Sequence, residues 1–219
     1  PGDMARCFAS ESFMDEIASD LGVDPVQFRL RYLERNKRGS DALVAAAKKA
    51  DWQERPSPGP TSTGQMASGR GVAVFDRANT ICGAVVEVDV DKSSGNVIVK
   101  RVIMSHDCGL IINPDGLKNQ IEGNIIQSVS RALLEEVKFD RTGIKTLDWS
   151  TYPILRFPDV PEIEIVLINR PEMPALGGGE PSTGPVAAAI ANAIFDAVGV
   201  RLREAPFTPE RVLAGLKKA

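Results

Sequence analysis

Histidine is nearly missing from this 219-residue chain, and closely spaced cysteines are missing altogether. His106 is the single imidazole, which excludes a histidine-rich metal site and leaves a Ser-His-Asp arrangement only if His106 itself is the base. Its place beside Asp107 and Cys108 at a strand end reads instead as structural. Cys7, Cys82 and Cys108 lie far apart with no Cys-x-x-Cys pair, so neither a zinc site nor an iron–sulfur cluster is suggested, and no metal ligated directly by this chain is expected. No apolar run is long enough to span a bilayer, and no signal peptide is visible. With 26 basic against 29 acidic residues the net charge is −3, which offers no surface for nucleic acid or anionic membranes. An initiator Met is also lacking: Pro1-Gly2-Asp3 reads as the start of a fragment or of a processed product.

What is present is ordinary in bulk, with 43% hydrophobic and 25% charged residues, enough for one core or two small ones. Residues 1–54 read as helical. Ser10 caps a helix over Glu11–Leu21 with Phe13, Ile17 and Leu21 on its apolar face, and Gly22 ends it. Asp24-Pro25 opens a second helix that uses Val26, Phe28, Leu30 and Leu33, and a third spans Asp41–Ala50. Residues 55–70, rich in Pro, Gly, Ser and Thr, read as a linker or long loop and the best subdomain boundary. Residues 71–219 then form an α+β region. Val86, Val88 and Val90 alternate with Glu87, Asp89 and Asp91 as in a half-buried strand; Lys92–Asn96 is a hairpin turn and Val97–Met104 the returning strand. Ile163, Ile165 and Leu167 mark a later strand, and helices are expected over 114–137 and 185–198. The fold class is α+β, a mixed sheet with packed helices rather than a regular βαβ array.

Two patterns stand out. From Leu176 to Ala193, Glu180 sits between Gly177-Gly178-Gly179 and Pro181-Ser182-Thr183-Gly184-Pro185, just before a helix whose strongly polar side chains are only Asn192 and Asp196. Pro185 suits the first helical turn, with Thr183 or Gly184 as cap, and such an apolar helix is buried nearly all round. Glu180 is then a solvated carboxylate, part of an anion-binding loop, or a general base at the mouth of a buried helix; no Gly-Lys-Ser/Thr is present to support a nucleotide loop. The second pattern is on the helix after Asn113-Pro114. Gln120, Gly123, Asn124, Gln127 and Arg131 share one stripe, with Ile121, Ile125, Val129, Ala132 and Leu133 opposite. That stripe is a solvated face or a surface that a polar ligand approaches; a mid-helix Gly123, costing about 1 kcal/mol against Ala, favours close approach.

Three segments resemble the C-terminal part of the molybdopterin-binding subunit of the xanthine dehydrogenase/aldehyde oxidoreductase family, most of all its isoquinoline 1-oxidoreductase and nicotinate dehydrogenase type members. They are Glu11–Glu16 with Leu21–Leu30, then Asp107-Cys108-Gly109 through Asn113–Gly116 into Asn119–Gly123, and the Gly-Glu loop with Leu202 and Pro206–Arg211. The resemblance implies that Glu180 is the general base toward a metal-bound hydroxyl, and that Gln120 contacts the pterin. It also implies that Gly177, Gly178 and Gly179 let the loop approach the metal, and that Ser182, Thr183 and Gly184 offer donors near it. The carboxylate of such a base is expected to be buried, so that its proton affinity rises.

The resemblance further implies a molybdenum–molybdopterin cofactor in its cytosine dinucleotide form, and electrons leaving through 2Fe–2S clusters on a partner subunit toward an acceptor such as a cytochrome. It implies as well that the substrate is an N-heterocyclic aromatic or an aldehyde. The family's subunit is several times longer, so this chain is expected to need the upstream part of its own subunit or a split-subunit partner, and to be inactive alone. A cytoplasmic location is expected, with a periplasmic or membrane-associated complex as the alternative. Gly178 departs from the family pattern, which often has a branched residue there, and Asn124 and Ser128 stand where glycine is commoner. The competing readings are a non-catalytic assembly fragment and a small-ligand-binding module.

Overall fold

The computed structural model of the chain describes residues 2–60 and 62–218. Three helices come first: α1 (Asp3–Asp20), α2 (Pro25–Tyr32) and α3 (Lys37–Lys49). α2 starts where the sequence places it, because the Asp24 carboxylate accepts from the amides of Val26 and Gln27. α3 starts earlier than expected, since the Asn36 side chain accepts from Gly39 N. α1 corrects the sequence reading twice. It begins at Asp3 rather than after Ser10, and the face it buries is Ser12, Asp15 and Ala18, while Phe13 and Leu21 are each 60% exposed. The reason is a buried charge: the Arg29 guanidinium of α2 lies between Glu11 (2.8 Å) and Asp15 (3.4 Å), so α1 turns its acidic side inward. Burial opposes the Arg29 charge, but those two carboxylates hold it protonated.

The sheet follows. β1 (Met66–Arg77), β2 (Thr80–Asp91) and β3 (Val97–Asp107) form an antiparallel meander, and after α4 (Pro114–Leu133) and a small exposed hairpin, β4 (Phe139–Asp140) with β5 (Gly143–Ile144), β6 (Glu162–Leu167) pairs with β3 in parallel. The sheet is therefore mixed, as expected. β1 begins inside the stretch that the sequence marks as linker or loop, and the residues before it are tied down. Arg55 donates to both carboxylate oxygens of Asp196 (2.7 and 2.6 Å), Ser57 Oγ to one of them (2.9 Å), and Gly59 N to the Asp196 carbonyl (3.1 Å).

α2 and α3 cover one face of the sheet, with Val26, Leu43, Ala46 and Ala47 against Val72, Val85 and Ile103. α5 (Gly184–Val198) and α4 cover the other, against Ala84, Val86, Val88, Val102 and Met104; α6 (Pro209–Leu216) closes the chain there through Val212. Every residue of α5 from Gly184 to Ala197 is buried. Its Asn192 is satisfied by donating to the Val72 carbonyl (3.0 Å), and its Asp196 also takes the amide of Arg70 (3.0 Å). α5 lies so close to β1 that a Cβ on Gly69 or Gly71 would overlap backbone atoms of Ala189, Ala193 and Ala197.

Gly71→Ala should therefore destabilise the chain by about 2–3 kcal/mol, the cost of overpacking where backbone rather than a flexible side chain must yield. Urea melts that leave the midpoint unmoved would show that α5 can slide away freely.

Candidate cofactor site

The loop carrying Glu180 is held from three sides. On the first, β3 ends in the fully buried Asp107, gripped by Arg38 (2.6 Å) and Arg170 (2.6 Å). Burial works to raise the Asp107 carboxyl, but the hydrogen bonds from Arg38 and Arg170 outweigh it and hold it below the ordinary carboxylate range. The segment after β6 runs on beside that end: Ile168 N donates to the His106 carbonyl, Arg170 N to Gly109 and Leu176 N to Cys108 (2.9, 3.1 and 2.9 Å). On the second side, Thr80 Oγ1 donates to the Gly177 carbonyl (2.8 Å).

The third side is α4. Its start matches the sequence reading, with Asn113 Oδ1 accepting from Gly116 N. Its end falls at Leu133 rather than near 137, because Phe207 N takes the Ala132 carbonyl (2.6 Å) and Leu134 leaves helical geometry. Gln120 Nε2 and Asn124 Nδ2 both donate to the Gly179 carbonyl (2.7 and 2.8 Å), and Asn124 Nδ2 also reaches Ser182 Oγ (2.8 Å). Asn124 is thus buried, not on a solvated face, whereas Gln120, Gln127 and Arg131 remain exposed. Two amides on one carbonyl fix the position of the residue that follows it, Glu180.

Glu180 does not meet the expectation of burial in this chain. Its side chain is 67% exposed and ion-paired with Arg77, whose Nε in turn holds Asp3 Oδ2 (3.1 Å) at the start of α1. The apolar helix mouth lies behind the loop, not over it. Thr183 occupies the position before α5, yet its hydroxyl donates back to the Glu180 carbonyl (2.8 Å) and caps nothing. Of the glycines, Gly178 needs its missing side chain, since a Cβ would press on Leu117, and Gly184 packs against the Phe75 ring. Around Gly177, Gly179 and Gly123 a Cβ would meet no atom within 4 Å.

Gly123 and Gly179 border a cleft of about 920 Å³. Its walls are α4 (Gln120, Gly123, Asn124, Gln127, Arg131), the Gly179–Glu180 loop with Thr183, and the start of α1 with Asp3, Met4 and Phe8; Arg77 and Arg203 complete the rim. The sequence reading brought the first two walls together correctly. It missed α1, Arg77 and Arg203, which carry no local signal: Arg77 is an unremarkable charge at a hairpin end, and Arg203 is engaged by Glu16 of α1.

The arrangement defines an α+β domain with a cleft lined by amides, open glycine backbone and the carboxylates of Glu180, Asp3 and Glu204. The family described as the molybdopterin cofactor-binding domain matches residues 11–161, and the chain belongs to that family. A nicotinate dehydrogenase component of Pseudomonas putida is 44% identical over 97% of this chain and 19% of its own length. The beta chain of isoquinoline 1-oxidoreductase from Brevundimonas diminuta is 34% identical over 97% of this chain and 26% of its own length. The aldehyde oxidoreductase of Desulfovibrio gigas shares the fold, with a TM-score of 0.76 over 99% of this chain and 41% of that one at 18% identity. The chain thus spans about a fifth to a quarter of the curated relatives it matches.

Behind the loop, His106 is fully buried, with Nδ1 3.2 Å from Cys82 Sγ and with Nε2 unpaired among the described residues. Burial lowers its pKa to about 4 and raises that of the Cys82 thiol, so the imidazole is neutral beside a protonated sulfur. The unfolded chain binds a proton at His106 near pH 6.5 and the folded chain only near 4, so stability falls as pH drops through that window. A shift of that size corresponds to roughly 3 kcal/mol once pH is below 4. His106→Asn should flatten the dependence of unfolding free energy between pH 6.5 and 4; an unchanged slope would assign it to other groups.

Proposed function

We propose that this chain forms one wall of a molybdenum–molybdopterin site in a hydroxylase of N-heterocyclic aromatics or aldehydes. The observation that carries the reading is the double amide grip on the Gly179 carbonyl, which sets the Glu180 carboxylate on a cleft bounded by open glycine backbone. The residues present fit the group. A pterin brings its own metal ligands, so the protein needs hydrogen-bonding amides and room for close approach. Gln120, Gln127 and the backbone at Gly123 and Gly179 offer both.

When bound, the cofactor supplies the two-electron redox chemistry, and the protein supplies position and proton traffic. Glu180 takes a proton at a carboxylate oxygen from the water-derived nucleophile as it attacks the electron-poor carbon. Arg77 orients that carboxylate, and Asp3 orients Arg77. Ser182 is spent on Asn124, so its hydroxyl steadies the loop, while the Thr183 hydroxyl closes the turn that presents Glu180.

The names of the two curated relatives, nicotinate dehydrogenase and isoquinoline 1-oxidoreductase, favour a ring carbon beside nitrogen as the site of oxidation. The same reading takes the cofactor in its cytosine dinucleotide form and passes electrons to a 2Fe–2S subunit and onward to a cytochrome. The remainder of the molybdopterin subunit, joined or separate, completes the pocket in the cytoplasm. No helix among the described residues is long and apolar enough to cross a membrane.

In the native complex, Glu180→Gln should lower turnover by at least ~10²-fold while molybdenum content, read by mass spectrometry, stays at the wild-type level. Full turnover in the variant would remove Glu180 from its role, and a native complex without molybdenum would remove the cofactor.

A further inference from the structure

Between α4 and β6 the chain makes an arm, residues 134–161, that packs Leu134 and Leu155 against the core but presents most of its large apolar side chains outward. Phe139 is 76% exposed, Ile144 57%, Leu147 79%, Trp149 66% and Phe157 93%. Three of the twelve aromatic residues of a chain poor in them are spent here on solvent. The arm is built to hold this shape. The Phe139↔Ile144 pair is set by the β4–β5 hairpin, and Lys145 N closes its base on the Lys138 carbonyl (2.7 Å). The Asp148 carboxylate gathers the amides of Ser150 and Thr151, Tyr152 Oη donates to Glu135 at the arm's root (2.9 Å), and Leu155 N fastens the arm to α4 at Ser130 Oγ (3.0 Å). The arm thus combines an internally bonded frame with a cluster of exposed large apolar side chains, which is the pattern of a surface prepared for another.

We propose that this arm is a docking surface for the remaining part of the molybdopterin-binding subunit, a proposal that rests on the function proposed above. Three observations choose that occupant. The cleft is bounded in part by Arg131, which lies on the last turn of the helix from which the arm springs. Polypeptide that roofs the cleft therefore passes beside the arm. The chain covers only 19–26% of the curated relatives, so a body of the required size accompanies this region in those proteins. Finally, the arm's charges are mixed in sign, with Lys145 paired to Asp140 (3.1 Å), so it matches an apolar face rather than a charged ligand.

Hydroxyl-radical labelling of the native complex tests this with controls inside the chain: Tyr32 (68% exposed) and Phe13 (60%) set the open rate and Phe28 (2%) the closed one. Phe139, Trp149 and Phe157 should label roughly tenfold more slowly than Tyr32, near the rate of Phe28. Amine cross-links from Lys138 and Lys145 should map to the rest of the molybdopterin subunit. Labelling at the Tyr32 rate overturns the proposal, and so do cross-links only to a second copy of this chain or to an iron–sulfur subunit. Molybdenum measured on the same preparation separates the two readings: an open arm with metal present refutes the docking surface alone, and a covered arm without metal refutes the cofactor assignment alone.

Discussion

The close contact between α5 and β1 governs the rest of the structure. A helix cannot normally bring its backbone against a strand, because a Cβ stands between them. Here Gly69 and Gly71 remove that barrier on the strand, and Ala189, Ala193 and Ala197, four residues apart, remove most of it on the helix. The helix axis is thereby fixed relative to the sheet with little freedom to rotate. Its first turn inherits that precision through Gly184 against Phe75, and Glu180 stands only four residues before it.

So deep a helix leaves no water for its polar side chains, and each becomes a junction between distant segments. Asn192 donates to β1 at Val72 and accepts from Arg201, whose other end reaches Asp15 of α1. Asp196 gathers Arg55, Ser57 and the Arg70 amide. Breaking one partner would strand the others in a low-dielectric interior, which is costlier than the bond itself. These contacts specify how the helical layer, the sheet and the C-terminal segment meet.

The sequence made some of this legible and hid the rest for physical reasons. Val86, Val88 and Val90 announced a strand because only one face of β2 is apolar there. The burial of α5 was plain from its composition, and the link between Gln120 and the Glu180 loop followed from the family-like order of segments. Where burial is polar, periodicity misleads: α1 hides Ser12 and Asp15 and exposes Phe13, because Arg29 supplies the charge that makes acidic burial tolerable. Arg77 and Asp3 were silent for a related reason. Their meaning lies in a chain of ion pairs across 177 residues, with nothing local to mark it. The exposure of Glu180 was unreadable too, since it depends on what stands over the loop.

The segment from Arg55 to Gly59 can also be seen as a mechanical element. By composition it is slack rope, yet four bonds from its residues converge on Asp196 in the most buried helix. Tension applied to the N-terminal helices would be carried through that one residue into the sheet-bound core, rather than spent straightening a loop. The strap and the helix would then yield together, as a single force-bearing unit.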